Sequence, residues 1–178
     1  AISYLYYANR IFQLPLALFA IATSIALFPR VARYIKNKDE EKALAFLEKA
    51  FWFLTFLLTA STIGGFILSQ EITWLLFERG AFTVQDTANT TAVLQMYMIG
   101  LLPFGLQKLF LLWLYSKEMQ MRAAKIATFS LAAYILFALS LIAPMGVSGL
   151  ALASTVSGFV SFSLTIRAFG VKKFFDIL

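Results

Sequence analysis

The feature that most constrains this chain is an uncharged run of residues close to its start. The run extends from Ile11 to Phe28, with Arg10 on one side and Pro29-Arg30 on the other. In a helix that rises about 1.5 Å per residue, Arg10 and Arg30 lie roughly 30 Å apart, which is the thickness of the hydrocarbon core of a bilayer. The run therefore predicts a helix that spans a membrane.

Composition extends this prediction to the whole chain. Of its 178 residues, 61% are hydrophobic and 13% are charged, and the mean hydropathy is +0.81, so a multi-pass membrane protein is expected. The sequence has no cysteine and no histidine, which disfavours thiol catalysis and most metal-dependent enzymes. Because it opens on Ala1 without an initiator methionine or a signal peptide, we expect a fragment of a longer protein.

Hydropathy divides the chain into five predicted spans joined by charged or polar segments. The spans are residues 8–29, 50–69, 92–115, 126–143 and 149–168. A cytoplasmic linker is predicted over residues 30–49, where Asn37 and Glu40 have the spacing of a capping box that begins a short surface helix. The segment around Trp74 is too short to cross a membrane, which favours an interfacial helix.

The distribution of basic residues predicts the orientation. Twelve Lys and Arg residues follow the first, third and fifth spans, whereas the alternate connections hold only Arg79. Basic residues accumulate on the cytoplasmic side of membrane proteins, so the twelve are expected in the cytoplasm. The net charge of +6 is explained by this topology, and no nucleic acid partner is expected.

The last span carries a regular stripe of small residues. They recur at every fourth position, which places them on one face of a helix. They are Gly149, Ala153, Ser157, Ser161 and Thr165. Such a stripe allows another helix to approach closely, so we interpret it as a packing surface and not as a ligand site.

Two cations at membrane level are the candidate binding residues. Arg10 shares one side of the first helix with Asn9 and Gln13, and Lys108 lies about nine residues, or roughly 13 Å, before the cytoplasmic Lys117. No Asp or Glu falls within the five spans, so neither an acid–base pair nor a carboxylate relay is expected. Cations without acidic partners favour an anionic ligand such as a lipid diphosphate headgroup. The alternative is that both side chains extend to the membrane surface as simple anchors.

Five segments, in the same order and spacing, resemble one known family. They are YYANRIFQLPLALFAIATSIALFPRVARY, LLFERGAFTVQDT, YMIGLLPFGLQKLF, LWLYS and GVSGLALASTVSG. They are similar to the MurJ (MviN) family, the lipid II flippases of bacterial peptidoglycan synthesis within the multidrug/oligosaccharidyl-lipid/polysaccharide exporter superfamily. The resemblance covers nearly the whole chain.

The resemblance implies a fold of fourteen membrane helices in two lobes around a central cavity. This chain would supply helices eight to twelve, which form most of the second lobe of an all-α integral membrane protein in the bacterial inner membrane. Arg10 would match the cavity arginine of the eighth helix and Lys108 a lysine of the tenth. Many members have an acid before that arginine, where this chain has Asn9.

The same resemblance implies partners and an activity. The partners would be the lipid bilayer, the polyprenyl diphosphate headgroup of lipid II, and the N-terminal lobe and last two helices of the same protein. The activity would be transport by alternating access. Asn9 and Gln13 are candidate substrate-binding residues because of their position beside Arg10 and not because of the resemblance. No cofactor is implied, and coupling to the membrane potential or to an ion gradient is left open.

Three other functions remain as alternatives. Another exporter of the same superfamily, for oligosaccharide-lipids or drugs, would have a similar sequence, although a cation-driven drug exporter is expected to carry membrane carboxylates. A membrane enzyme that acts on a lipid phosphate would need a catalytic acid, base or metal site, and no such site is recognisable here. A purely structural helix bundle would tolerate neutral residues at positions 10 and 108.

Overall fold

The computed structural model describes residues 2–178, which are helical apart from short connections. No strand occurs in that range, which confirms the all-α fold class. The α-helices are α1 (Ile2–Pro15), α2 (Ala22–Lys36), α3 (Glu40–Ile67), α4 (Ser69–Phe77), α5 (Val84–Ile99), α6 (Leu101–Ser116), α7 (Gln120–Phe169) and α8 (Val171–Ile177), and a π-helical segment (Leu16–Ile21) joins α1 to α2.

Three helices of the described range are long and apolar enough to cross a membrane. They are Ser3–Lys36, Glu40–Ile67 and Gln120–Phe169, and α5 with α6 forms a fourth if this bent pair is one span. Helix α7 doubles back at Gly146, where φ is 57° and ψ is −130°. Its two legs lie side by side, because the Ser157 hydroxyl donates to the Ser130 carbonyl at 2.6 Å. The chain thus contains five apolar segments, and their membrane crossing and orientation stay predictions.

Helix α1, the π-helical segment and α2 form one continuous helix, called here the first helix, which changes geometry directly after Pro15. Proline lacks a backbone N–H, so it removes one bond from the helical ladder. The following six residues, Leu16–Ile21, form a π-helix, a rare arrangement that accommodates such a defect and occurs frequently at functional sites.

The helix that carries the predicted third span is longer than that span and is bent. It begins at Val84, ahead of residue 92, because Thr83 and Asp86 form a capping box that fixes the helix start. Helices α5 and α6 meet at an angle of 42° near Gly100. Pro103 explains the bend, because its ring prevents the hydrogen bond to the carbonyl one turn earlier.

The segment that was predicted as a linker, residues 30–49, is largely helical. Helix α2 continues to Lys36, and α3 starts at Glu40, so only residues 37–39 lie between them. The predicted cap at Asn37 is wrong: Asp39 is the N-cap, and its side chain accepts from the Lys42 N–H at 3.4 Å. Asn37 instead ends the preceding helix, in a turn where Lys38 has a φ of 59°. The short helix predicted around Trp74 is present as α4, and its place at the membrane interface stays a prediction.

Helix α6 lies at the centre of the bundle. Most of its residues are buried against α2, α3 and α7. Phe110 is fully buried, and its ring centroid lies 6.0 Å from that of Phe51, 4.9 Å from that of Phe169 and 5.7 Å from that of Phe174. Aromatic rings at these separations add to the stability gained from burial alone.

The small-residue stripe packs as predicted. All five of its residues are buried in the second leg of α7. Gln107 of α6 donates a hydrogen bond to Ser161, and a Cβ added at the adjacent Gly158 would lie 2.7 Å from the Phe104 ring. The small residues are therefore covered by α6, whereas part of α1 and α2 stays exposed.

Candidate functional site

Arg10 lies on an exposed surface of α1 and has only an aromatic partner. Its Nη2 donates to the Tyr6 hydroxyl at 2.6 Å, and the guanidinium carbon lies 4.9 Å from the Tyr6 ring centroid. Within residues 2–178, the ion pairs involve Lys42, Lys117 and Lys173, and none involves Arg10. A guanidinium has five N–H donors, so most of those of Arg10 are free to meet a ligand.

Asn9 and Gln13 flank this arginine with different exposure. Gln13 is exposed one turn beyond Arg10, and Asn9 is half-buried. The structure therefore places Arg10 and Gln13 together on the open surface, with Asn9 at its edge. The contact of Arg10 with Tyr6, four residues before it, was not predicted from the sequence, although the i, i+4 spacing of a tyrosine and an arginine on a helix was a signal for it.

Lys108 lies in a separate cavity between the first helix and α6. The cavity has a volume of about 310 Å³ and is otherwise mostly apolar, with Ile25 and Phe28 on one wall and Leu111 on the other. Ser24 also lines it, and the Ser24 hydroxyl is buried without a hydrogen-bond partner. An ammonium group beside an apolar wall and an unsatisfied hydroxyl suits the head of an amphiphilic anion.

A second cavity continues from the Lys108 cavity toward the predicted cytoplasmic side. The two cavities share Phe28 and Tyr115. The second has a volume of about 580 Å³, and its charged lining residues are Lys36, Lys117 and Glu118. Together the two cavities form a groove, called here the α2–α6 groove, that is apolar at the level of Lys108 and, with two lysines and one glutamate, net basic at its other end.

Arg10 and the α2–α6 groove occupy different levels of the same helix. Ile21 is the first residue of this helix that lines the groove, eleven residues beyond Arg10, or roughly 16 Å along the axis. The π-helical segment lies between them. The structure therefore does not bring Arg10 and Lys108 into one pocket but places them in succession.

Hydrogen bonds hold the end of this surface that is predicted to lie outside. The Tyr4 hydroxyl donates to Asp86 at 2.6 Å, which joins α1 to the start of α5. This bond, together with those from the Thr83 backbone and hydroxyl, lowers the pKa of Asp86 to about 2. The same contact raises the pKa of Tyr4. The carboxylate is thus ionised throughout the physiological range and keeps this end of α1 in place.

An ionic cluster holds the opposite end. Glu40 accepts from Lys117 at 2.7 Å and also pairs with Lys173 of α8. The two ammonium groups lie 5.2 Å and 5.5 Å from the Trp113 ring centroid. The hydrogen bonds from Lys117 and Lys173 lower the pKa of Glu40. Sequence alone did not indicate this cluster, because its members come from three distant segments.

The chain was compared with known proteins. The sequence model of the family described as lipid II flippase MurJ matches residues 1–176. A probable lipid II flippase MurJ of Helicobacter pylori strain J99 is 54% identical over all 178 residues, which correspond to 39% of that protein. A probable lipid II flippase MurJ of Rhizobium meliloti is 33% identical over 90% of this chain and 30% of its own length.

A solved structure gives the same result for the fold. Lipid II flippase MurJ in an inward closed conformation superposes with a TM-score of 0.86 and 27% identity, over 99% of this chain and 38% of that protein. The chain thus spans about two fifths of the length of these relatives. A family match over nearly the whole sequence, a relative of more than half identity and a shared fold agree, and the chain belongs to the lipid II flippase MurJ family.

Proposed function

We propose that the full-length protein containing this chain carries lipid II across the bacterial inner membrane by alternating access. The observation that carries this proposal is the family match over residues 1–176. The family is one of transporters and not of enzymes, so the cations of this chain are assigned to substrate movement and not to bond cleavage.

The basic residues supply a sequence of contacts for an anionic headgroup. Lys36 and Lys117 border the basic end of the α2–α6 groove, Lys108 lies at its apolar level, and Arg10 lies farther along the same surface. A diphosphate moving along this surface would exchange one cation for the next, while the apolar wall with Phe28 would contact its prenyl chain. Because the phosphates keep a cationic partner at each step, the free-energy cost of removing them from water is limited.

The two candidate cations have different roles in this proposal. Arg10 offers a planar fork that binds two phosphate oxygens at once, and Gln13 adds an amide on the same open surface. Lys108 acts as a point charge that an oxygen approaches from several directions. Asn9, at the edge of the surface, leaves the charge of Arg10 unopposed by a neighbouring acid.

The energy source belongs to the proposal as well. Moving one charge through a potential of 100 mV changes the free energy by about 2.3 kcal/mol. Because the cell interior is negative, the outward movement of a diphosphate is downhill, and we propose coupling to the membrane potential without a cofactor. An ion gradient is the alternative driving force.

The site requires partners from the remainder of the protein. This chain covers 39% of its Helicobacter pylori relative. We propose that the N-terminal lobe supplies the opposite wall of the cavity and that the last two helices complete the second lobe. Rocking of the two lobes would then expose Arg10 and the α2–α6 groove to opposite sides in turn.

A surface-exposure assay tests the proposal. The full-length protein is expressed in bacteria depleted of their own flippase, and outward-facing lipid II is measured with an added enzyme that cleaves the diphosphate from outside. We expect wild-type protein to restore cleavable lipid II and Lys108→Gln to restore it several-fold less well. Lys49→Gln, an exposed cation outside the α2–α6 groove, serves as the matched control and should behave as wild type. No cleavable lipid II above the depleted background, at normal expression of wild-type protein, would contradict the proposal.

A further inference from the structure

A groove between α4 and α5, with two acids on a mostly apolar surface, lies apart from the cation surface. It has a volume of about 560 Å³. Glu71 and Trp74 of α4 line one wall together with Glu78, the residue that follows the helix. The spacing i, i+3 places the indole on the same helical face as Glu71, and the indole lies between the two acids in sequence. The other wall belongs to α5, where the small side chain of Ala88 leaves the space open.

The charge of this α4–α5 groove is opposite to that of the chain. Its lining includes the two glutamates and no Lys or Arg. Arg79, the basic residue next to Glu78, donates to the Leu75 carbonyl at 3.2 Å and lines a different cavity with Tyr4 and Asp86. The groove is therefore acidic within a chain of net charge +6, which favours a cationic ligand.

A buried hydroxyl in the same groove provides a second observation. Thr91 lines the groove and is 9% exposed, and its hydroxyl has no hydrogen-bond partner in the described part of the chain. A buried polar group without a partner is unfavourable. Threonine on a helix has two accessible rotamers, so this hydroxyl would contact a ligand in the groove after one rotamer change. Gln95, on the same wall, adds an amide oxygen.

The position of the groove indicates where its ligand comes from. Helix α4 has nine residues, too few to cross a bilayer, and it exposes Trp74, Leu75 and Leu76. An exposed tryptophan beside exposed leucines is typical of a helix that lies at a membrane surface. The groove thus opens at the depth of lipid headgroups, on the side that the distribution of basic residues predicts to be outside.

We propose that the α4–α5 groove binds the primary ammonium headgroup of a phospholipid of the outer leaflet. The ammonium carries three N–H donors, and the groove offers acceptors for them in Glu71, Glu78 and Thr91. The Trp74 ring contributes a cation–π contact. Glu78 already accepts from the Thr87 hydroxyl through one oxygen, which fixes its orientation and leaves its second oxygen for the ligand. A bound lipid would hold α4 against α5 at the membrane surface.

Native mass spectrometry of the purified full-length protein tests this site. The probes are phosphatidylethanolamine and phosphatidylcholine with identical acyl chains, since the choline headgroup has no N–H donors. We expect about a tenfold preference for phosphatidylethanolamine, the effect of one charge-assisted hydrogen bond. The double variant Glu71→Gln/Glu78→Gln should lose this preference. Glu48→Gln, an exposed acid of α3 outside the groove, is the matched control and should retain it.

Three results would overturn the proposal. One is equal binding of the two lipids by wild-type protein, which is also expected if another segment of the full protein fills the groove. The second is a preference that survives the double substitution. The third is complete displacement of the lipid by an equal concentration of phosphoethanolamine without acyl chains, which would assign the groove to a soluble amine. The double variant is first checked for wild-type melting temperature, and Glu71→Gln alone, at an exposed position, replaces it if the melting temperature falls.

Discussion

Two surfaces of the same helix bundle differ in whether their polar side chains have hydrogen-bond partners. Where α6 meets the second leg of α7, the polar groups are partnered: Gln107 donates to Ser161, and the Ser157 hydroxyl donates to the Ser130 carbonyl. On the open face of the first helix, Arg10 has only a tyrosine partner within its own helix, and the Ser24 hydroxyl near Lys108 has none in the described structure. The partnered seam contributes to stability, and the unpartnered face is where we propose that a ligand binds.

The largest expected effect comes from removing the cation of the open face. Arg10→Ala should abolish growth of a flippase-depleted strain that depends on the full-length protein, because both the charge and the planar fork are lost. Arg10→Lys keeps the charge but not the fork, so it should support slow growth. Colony formation and immunoblots of membrane fractions measure the two effects together.

Expression is the control for this experiment. The uncharged run after Arg10 is sufficient for insertion, so both variants should accumulate in the membrane at the wild-type level. Normal growth with Arg10→Ala at that level would remove Arg10 from the site and favour a simple membrane anchor.

The stability of the seam should depend on side-chain volume and not on charge. Ser157→Leu adds two heavy atoms and removes a hydroxyl donor at a buried position against Ser130, which should lower the free energy of unfolding by about 1–3 kcal/mol and the melting temperature by a few degrees. Phe159→Leu, at a position that is 46% exposed on the same helix, is the matched control. Thermal unfolding of the full-length protein distinguishes the two. Equal melting temperatures for Ser157→Leu and wild type would show that the seam is loosely packed.

The smallest expected effect is at Glu40, which joins α3 to Lys117 and Lys173. Because its pKa is lowered in the folded protein, its contribution to stability is present above the ordinary carboxyl pKa of about 4.3 and is lost as the pH falls through the lowered value. The cluster is partly exposed, so Glu40→Gln should cost only about 0.2–1 kcal/mol at pH 7.

The pH dependence of melting distinguishes this effect from general acid sensitivity. The gap between wild type and Glu40→Gln should close as the pH falls below about 4. Glu48→Gln removes an exposed acid of the same helix and should show no gap at either pH. A gap that widens on acidification would mean that the sign of the coupling is wrong.

The sequence predicted the packing of the seam more completely than the geometry of the open face, and the reason is physical. The stripe from Gly149 to Thr165 is periodic within one helix, so its burial followed from local spacing alone. The Lys108 cavity joins Ile21 and Ser24 to a residue more than eighty positions away. No local sequence pattern relates residues that are so far apart in the chain, so only the tertiary packing revealed this cavity.

Polar segments were the other source of error. The threonine-rich start of α5 was interpreted as a connection because its side chains are polar, yet Thr87 and Thr90 are buried and the helix already begins at Val84. Its capping box uses Asp86 in place of the more usual glutamate or glutamine, which made the start harder to recognise. Arg10 and Lys108 were predicted as site residues from their charge, and that assignment stays a prediction.

In the proposed mechanism, the open face of the first helix lines the water-accessible cavity between the two lobes and does not face lipid. Gln13→Cys and Phe56→Cys, introduced separately into a cysteine-free full-length protein, test it with a hydrophilic thiol reagent in intact membranes. Both positions are exposed in this chain, and Phe56, on α3, is 73% exposed. We predict rapid modification at position 13, slowed by added lipid II, and none at position 56. Failure to modify position 13 under conditions that label a loop cysteine would contradict the account.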